Sequence, residues 1–291
     1  MMQVFLCLAL LTGAVFAAEE PPALLPPVPL QASWVFSGMV SNENGETYGY
    51  FFQMKRDHDQ FHATVALLDA ERKQVALLEE SDAIITAPIP YNWHVGRAFL
   101  RFNPINDSWI FGLKTMDKKG FNFKVDLLKQ DLPTPHAQAL RLGVELLMNQ
   151  THHLNGHLQL GRGSEEQFVT SKNAWFRQVW LSAPQDKSHA FSGILCRFMN
   201  GSGFYSVKMA EPDALRGAVA GWSDQQGVAT VMSQFIRVKH DQQDGPWHIR
   251  IASPNLHLVM SPVVKQPTIA AGFVAEGKMP GFCMLSDEWI G

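Results

Sequence analysis

Between Phe121 and Leu127 every second residue is apolar, and Asn122, Lys124 and Asp126 stand between them. A period of two is that of a strand with one buried and one wet face. The same pattern recurs along the chain. Trp34 to Val40 runs into Asn42-Glu43-Asn44-Gly45, where Asn44 and Gly45 suit the left-handed positions of a hairpin turn. The returning segment from Tyr48 puts Tyr48, Tyr50, Phe52 and Met54 on one face. Further strands are read at 62–69, 97–103, 108–116 and repeatedly beyond residue 154, with Trp222 and Asp224 at another hairpin turn. Short strands parted by turns at this spacing predict an all-β sandwich or barrel.

At 291 residues with 46% hydrophobic content, the chain can bury one large core or two smaller ones. Two similar barrels are more economical than one very large one. Residues 1–17 form a short apolar run ending in small residues, which reads as a removable secretory signal. Residues 18–30 follow as a leader in which Pro21, Pro22, Pro26, Pro27 and Pro29 oppose both helix and sheet. The expected division is then a first barrel over 31–133, a connecting helix over 134–149 and a second barrel over 150–291. The helix rests on Thr134 as N-cap, Pro135 in the first turn, and Leu140, Val144 and Leu147 at helical spacing.

A formal net charge of -3 and scattered Lys and Arg residues offer no basic field for a phosphate backbone, so nucleic acid is not an expected partner. Beyond the signal no apolar run is long enough for a transmembrane helix. Cys7 lies in the signal, leaving Cys196 and Cys283. In an oxidising compartment they are free to bridge, and in apolar strands they are equally suited to be small buried thiols.

Asn173-Ala-Trp-Phe-Arg-Gln-Val-Trp180 is the least ordinary strand. Alternation puts Trp175, Arg177 and Val179 on one face and Phe176, Gln178 and Trp180 on the other. Arg177 is then either a polar anchor beside aromatic surface or a side chain snorkelling from a barrel wall.

These strands resemble the AttH-like and carotenoid 1,2-hydratase family. Trp34-Val-Phe-Ser-Gly-Met-Val40 is similar to its W-Y-F-T-G-H-L opening, and residues 174–180 to its A-W-x-D-R-E-W segment. Trp247 to Pro262 and Glu276 to Glu288 are similar to its last two motifs. The resemblance implies two lipocalin-like antiparallel β-barrels and, in the carotenoid branch, hydration of an isoprenoid double bond. This chain departs from the pattern at the polar positions: Arg177, Gln178 and Val179 stand where the family has Asp, Arg and Glu, Ala32 replaces a Glu, and Met39 a His. Protonating an alkene carbon needs an acid, and the central segment has lost both carboxylates.

In the cluster His152, His153 and His157, the last two stand four residues apart on a strand, too far to share a zinc ion, so the cluster reads as exposed or capping histidines. Ser202 lacks a nucleophile-elbow context, and Glu276, Asp287 and Glu288 have rim solvation as their default role. The resulting reading is an exported, periplasmic or secreted protein that binds an apolar or amphiphilic small molecule, lipid or isoprenoid-like, with no cofactor and no metal. Its ligand-lining candidates are Trp34, Phe36, Tyr50, Phe52, Trp93, His94, Trp175, Arg177 and Trp180. The alternatives are a secreted hydratase or hydrolase, assisted by His94 or Arg177, and an interaction module with filled barrels.

Overall fold

The computed structural model describes residues 28–291 except 115–118, 128–136, 152, 162–163, 212–216, 232–234, 241–244, 254 and 275–278. The signal, most of the leader, Thr134, Pro135, His152 and Glu276 lie outside the described residues. The first sheet contains β1 (Gln31–Asn42), β2 (Thr47–Asp57), β3 (Gln60–Asp69), β4 (Gln74–Ile84), β5 (Asn92–Val95), β6 (Ala98–Asn103) and β7 (Ser108–Leu113). It continues with β8 (Lys119–Asp126), β9 (Gln138–Arg141), β10 (Val144–Thr151), β11 (His153–Leu160), β12 (Gln167–Ser171) and β13 (Ala174–Leu181). The second contains β14 (His189–Phe198), β15 (Gly203–Met209), β16 (Ala218–Ser223), β17 (Ala229–Val231), β18 (Ile236–His240), β19 (Trp247–Ile251), β20 (Leu256–Lys265), β21 (Ile269–Val274) and β22 (Gly281–Ile290).

The first sheet runs β4-β3-β2-β1-β12-β11-β8-β7-β6-β5 and closes nearly into a barrel; the second runs β17-β16-β15-β14-β22-β21-β20-β19-β18 as a half-barrel. The two-barrel, lipocalin-like, all-β expectation is met. Strand β1 organises both. Its even-numbered residues Trp34 and Phe36 join Tyr50, Phe52, Phe111 and Phe123 inside the first barrel. Its odd residue Val35 faces outward, where Phe51 and Trp175 pack on Leu195, Phe273, Phe282 and Met284 of the second sheet. At this seam a Cβ on Gly49 would lie 2.4 Å from the Phe282 ring, so the missing side chain is what admits that ring.

Two expectations are corrected. The connecting helix does not form over its described part: Gln138–Arg141 and Val144–Thr151 are the paired strands β9 and β10, joined through Gly143 at φ 82°. Positive φ suits glycine in a tight turn and ends a helix. Strand β10 is buried on both faces, with Val144 and Leu146 against Val179 and Phe191, and Leu147 in the first barrel. Spacing of three and four therefore arose from two-sided burial. The division between sheets also falls later than expected, because β10 to β13 pair within the first sheet and the second begins at His189.

The β1–β2 hairpin forms as read, although only Gly45 takes a positive φ, 84°. Asp224 accepts hydrogen bonds from the backbone N–H groups of Gln226 and Val228, as its turn reading requires.

Candidate site at the first barrel and the seam

The first-barrel candidates come together. Trp34 lies 4.8 Å from Trp93, and Phe36 stacks on Phe111 at 4.3 Å and lies 4.8 Å from Phe176, measured between ring centres. Tyr50, Phe52 and Trp180 belong to the same cluster. These rings occupy the interior themselves. The indole N–H groups of Trp34, Trp93 and Trp109 and the Tyr50 hydroxyl are nevertheless buried without a partner among the described residues. Tyr91, beside Trp93, has its pKa pushed up to about 12 by burial, against the opposing effects of Gln178 and Arg56.

Strand β5 turns Trp93 inward and therefore leaves His94 exposed, stacked against Phe99. The expectation that His94 lines the site is not met. His153 and His157 are exposed on β11.

Where the barrel mouth meets the seam, a pocket of about 290 Å³ is lined by Ser33, Lys55, Arg56, Phe61 and Trp289 among others. Phe61 forms the link to the interior, at 5.3 Å from Trp93. Val28 packs against the barrel core, and Arg56 donates to the carbonyls of His58 and Pro29, tying the leader to the mouth.

Behind this pocket lies the polar centre of the seam. Arg177 is fully buried and ion-paired with Glu288, which is 1% exposed. Arg177 Nη1 donates to Ser286 Oγ at 3.1 Å, Ser286 Oγ donates to Glu288 Oε1 at 2.9 Å, and Ser33 Oγ donates to Glu288 Oε2 at 2.6 Å. Lys55 Nζ stands 3.8 Å from the same carboxylate. Burial acts to raise the Glu288 pKa, but Arg177, Lys55 and the two serine hydroxyls outweigh it and hold the group below its usual 4.5. Glu288 is thus an ionised structural partner and a poor proton donor. Rim solvation does not describe it; Asp287, on the opposite face of β22, is exposed.

The alternation read for residues 174–180 is observed. Phe176 and Trp180 enter the barrel core, whereas Trp175 and Val179 join the seam clusters. Arg177 does not snorkel; its guanidinium lies 5.4 Å over the Phe191 ring. Sequence reasoning missed Glu288, although Ser286 and Glu288 alternate with Met284 on one strand face. It also missed that pairing gathers Arg237, Lys239, His248 and Arg250 around one small pocket on β18 and β19. Cys196 and Cys283 pair across β14 and β22 as a disulfide.

A nearly closed barrel and a half-barrel, joined at a seam that carries a buried ion pair, make a two-barrel lipocalin-like fold. Among solved structures, the chain is similar to a protein assigned as AttH from Nitrosomonas europaea, at 14% identity and TM-score 0.59 over 92% of this chain and 98% of that one. It is similar also to kievitone hydratase from Nectria haematococca, at 12% identity and TM-score 0.62 over 90% of each chain. The resemblance read from the strands is matched at the level of the fold. No protein-family model and no curated protein matches the sequence.

Proposed function

We propose that this chain is an exported binding protein for an apolar or amphiphilic small molecule carrying hydrogen-bond acceptors, taken up from the mouth pocket beside Phe61 against the aromatic cluster of the first barrel. The carrying observation is the set of buried, unpartnered donors on Trp34, Trp93, Trp109 and Tyr50 within one aromatic interior. Each orphaned donor costs about 1–3 kcal/mol, which a ligand carbonyl, ether or hydroxyl would return. The aromatic walls add roughly 25 cal/mol for each Å² of apolar ligand surface removed from water. Entry is by the pocket at Phe61, past the leader. Export is supported by the apolar first residues and by the disulfide, a bond that persists in oxidising compartments.

A hydratase or hydrolase of such a substrate is the second reading, favoured by one residue. Asp287 is exposed at the edge of a pocket of about 200 Å³ that it lines with Ser192, Thr268 and Trp247, and its pKa is raised by the desolvation that this edge imposes and by neighbouring Glu288. A carboxyl group so placed is a candidate acid.

Native mass spectrometry of the mature protein from its own host, with organic extraction, tests both. A stoichiometric apolar molecule whose retention falls in Trp93→Phe supports the binding reading. No retained molecule, and no thermal shift across a lipid panel, shifts weight to an interaction module. Turnover of an extracted compound that is lost in Asp287→Asn favours the enzyme.

A further inference from the structure

We propose a second, separate binding site at the opposite end of the seam, built around Arg197 and suited to the carboxylate of a small aliphatic acid. Arg197 is only 3% exposed, and its guanidinium carbon lies 4.2 Å from the centre of the Trp175 ring. Its Nη1 donates to the Gly201 carbonyl at 3.3 Å, while Nε and Nη2 have no partner among the described residues. Arg177, buried in the same seam, gives Nη1 to Ser286 and Nη2 to Glu288 and leaves only Nε without a partner among the described residues. Among the described residues, Arg197 has no such carboxylate. A guanidinium withdrawn from water with two donors unused is costly, and the fold retains it beside an opening.

That opening is a pocket of about 290 Å³ lined by Arg197 together with Thr170, Lys172 and Asn173, and by Met39, Phe198 and Met199 on its apolar side. Among the described residues, no Asp or Glu lines it. A planar fork with free N–H groups matches a carboxylate in geometry and charge. The Trp175 ring holds the fork from one side, and Gly203 leaves room for its stem, since a Cβ there would lie 3.0 Å from Arg197 Cδ. At the volume of a water molecule per heavy atom, the space takes on the order of ten heavy atoms, which is the size of octanoate. Burial lowers the Arg197 pKa to about 9, with Tyr50 acting in the opposite direction, so the group remains a cation at neutral pH.

Isothermal titration calorimetry of the full mature protein with octanoate and with 1-octanol tests the site. Octanoate should bind at least tenfold more tightly than octanol, and Arg197→Met should abolish that preference. Met199→Glu changes a side chain that is 65% exposed, so the fold is retained; the added carboxylate should weaken octanoate about tenfold by repulsion. Trp93→Phe, which lowers retention of the first-barrel ligand, should leave the preference for octanoate over octanol unchanged, which separates this site from the first-barrel reading. Equal affinity for acid and alcohol, survival of octanoate binding in both seam variants, or loss of the preference in Trp93→Phe would overturn the proposal.

Discussion

Arg177 and Glu288 are 111 residues apart in the chain and form a fully buried ion pair between β13 of the first sheet and β22 of the second. Both charges have left water, so the pair is valuable mainly as a matched pair. Removing one partner strands the other. Arg177→Met or Glu288→Leu alone should cost about 3–5 kcal/mol, whereas the two changes together should recover most of that loss. A double-mutant cycle by denaturant unfolding measures the coupling, and additive losses would contradict it.

The same pair sets an acid limit. Glu288 titrates below its usual 4.5 in the folded protein, so its contribution is fully present above that value and is lost as pH falls through the depressed folded value. Stability measured from pH 6 downward should therefore fall in the acid range more steeply for the parent protein than for Glu288→Gln. Parallel profiles would show that the carboxylate is not linked to folding.

Gly193 provides the space for the guanidinium. A Cβ at this position would lie 2.1 Å from Arg177 Nη1, and the neighbouring Ser286 Oγ would be 3.0 Å away. Gly193→Ala should cost about 1–3 kcal/mol by displacing the pair. In an Arg177→Met background the same substitution should cost distinctly less, because the colliding atom is gone. An equal cost in both backgrounds would place the clash elsewhere.

The barrel interior was legible where one strand face is wet or where turn chemistry is local. Trp34, Phe36, Tyr50 and Phe52 converge as their alternation implies, and the two faces of residues 174–180 divide as read. Strand β10 was misread because burial on both faces erases the period of two, leaving Leu140, Val144 and Leu147 to imitate a helix. Glu288 was hidden for a different reason. Its partner is distant in sequence, and a carboxylate near a chain end carries no local sign of burial. Arg197 carries none either: its two unpartnered donors depend on where the fold sets the carboxylates of the described residues.

The disulfide bears on the seam from the second sheet. Cys196 and Cys283 close a loop with a sequence separation of 87 and link β14 to β22, the strands that carry Arg197 and Glu288. The Trp175 indole donates to the Cys196 carbonyl at 2.8 Å, so the first sheet is anchored at the bridged residue itself. Loop closure on this scale restricts the unfolded chain by roughly 4–5 kcal/mol, with measured losses for native bridges of about 2–5 kcal/mol. Cys196→Ala with Cys283→Ala should therefore lower unfolding stability within that range, and the parent protein under reducing conditions should approach the double variant. Hydrogen exchange should show the loss concentrated in β14, β22 and the Trp175 indole N–H. Unchanged stability on reduction would mean that the antiparallel pairing of β14 and β22 holds these strands without the covalent link.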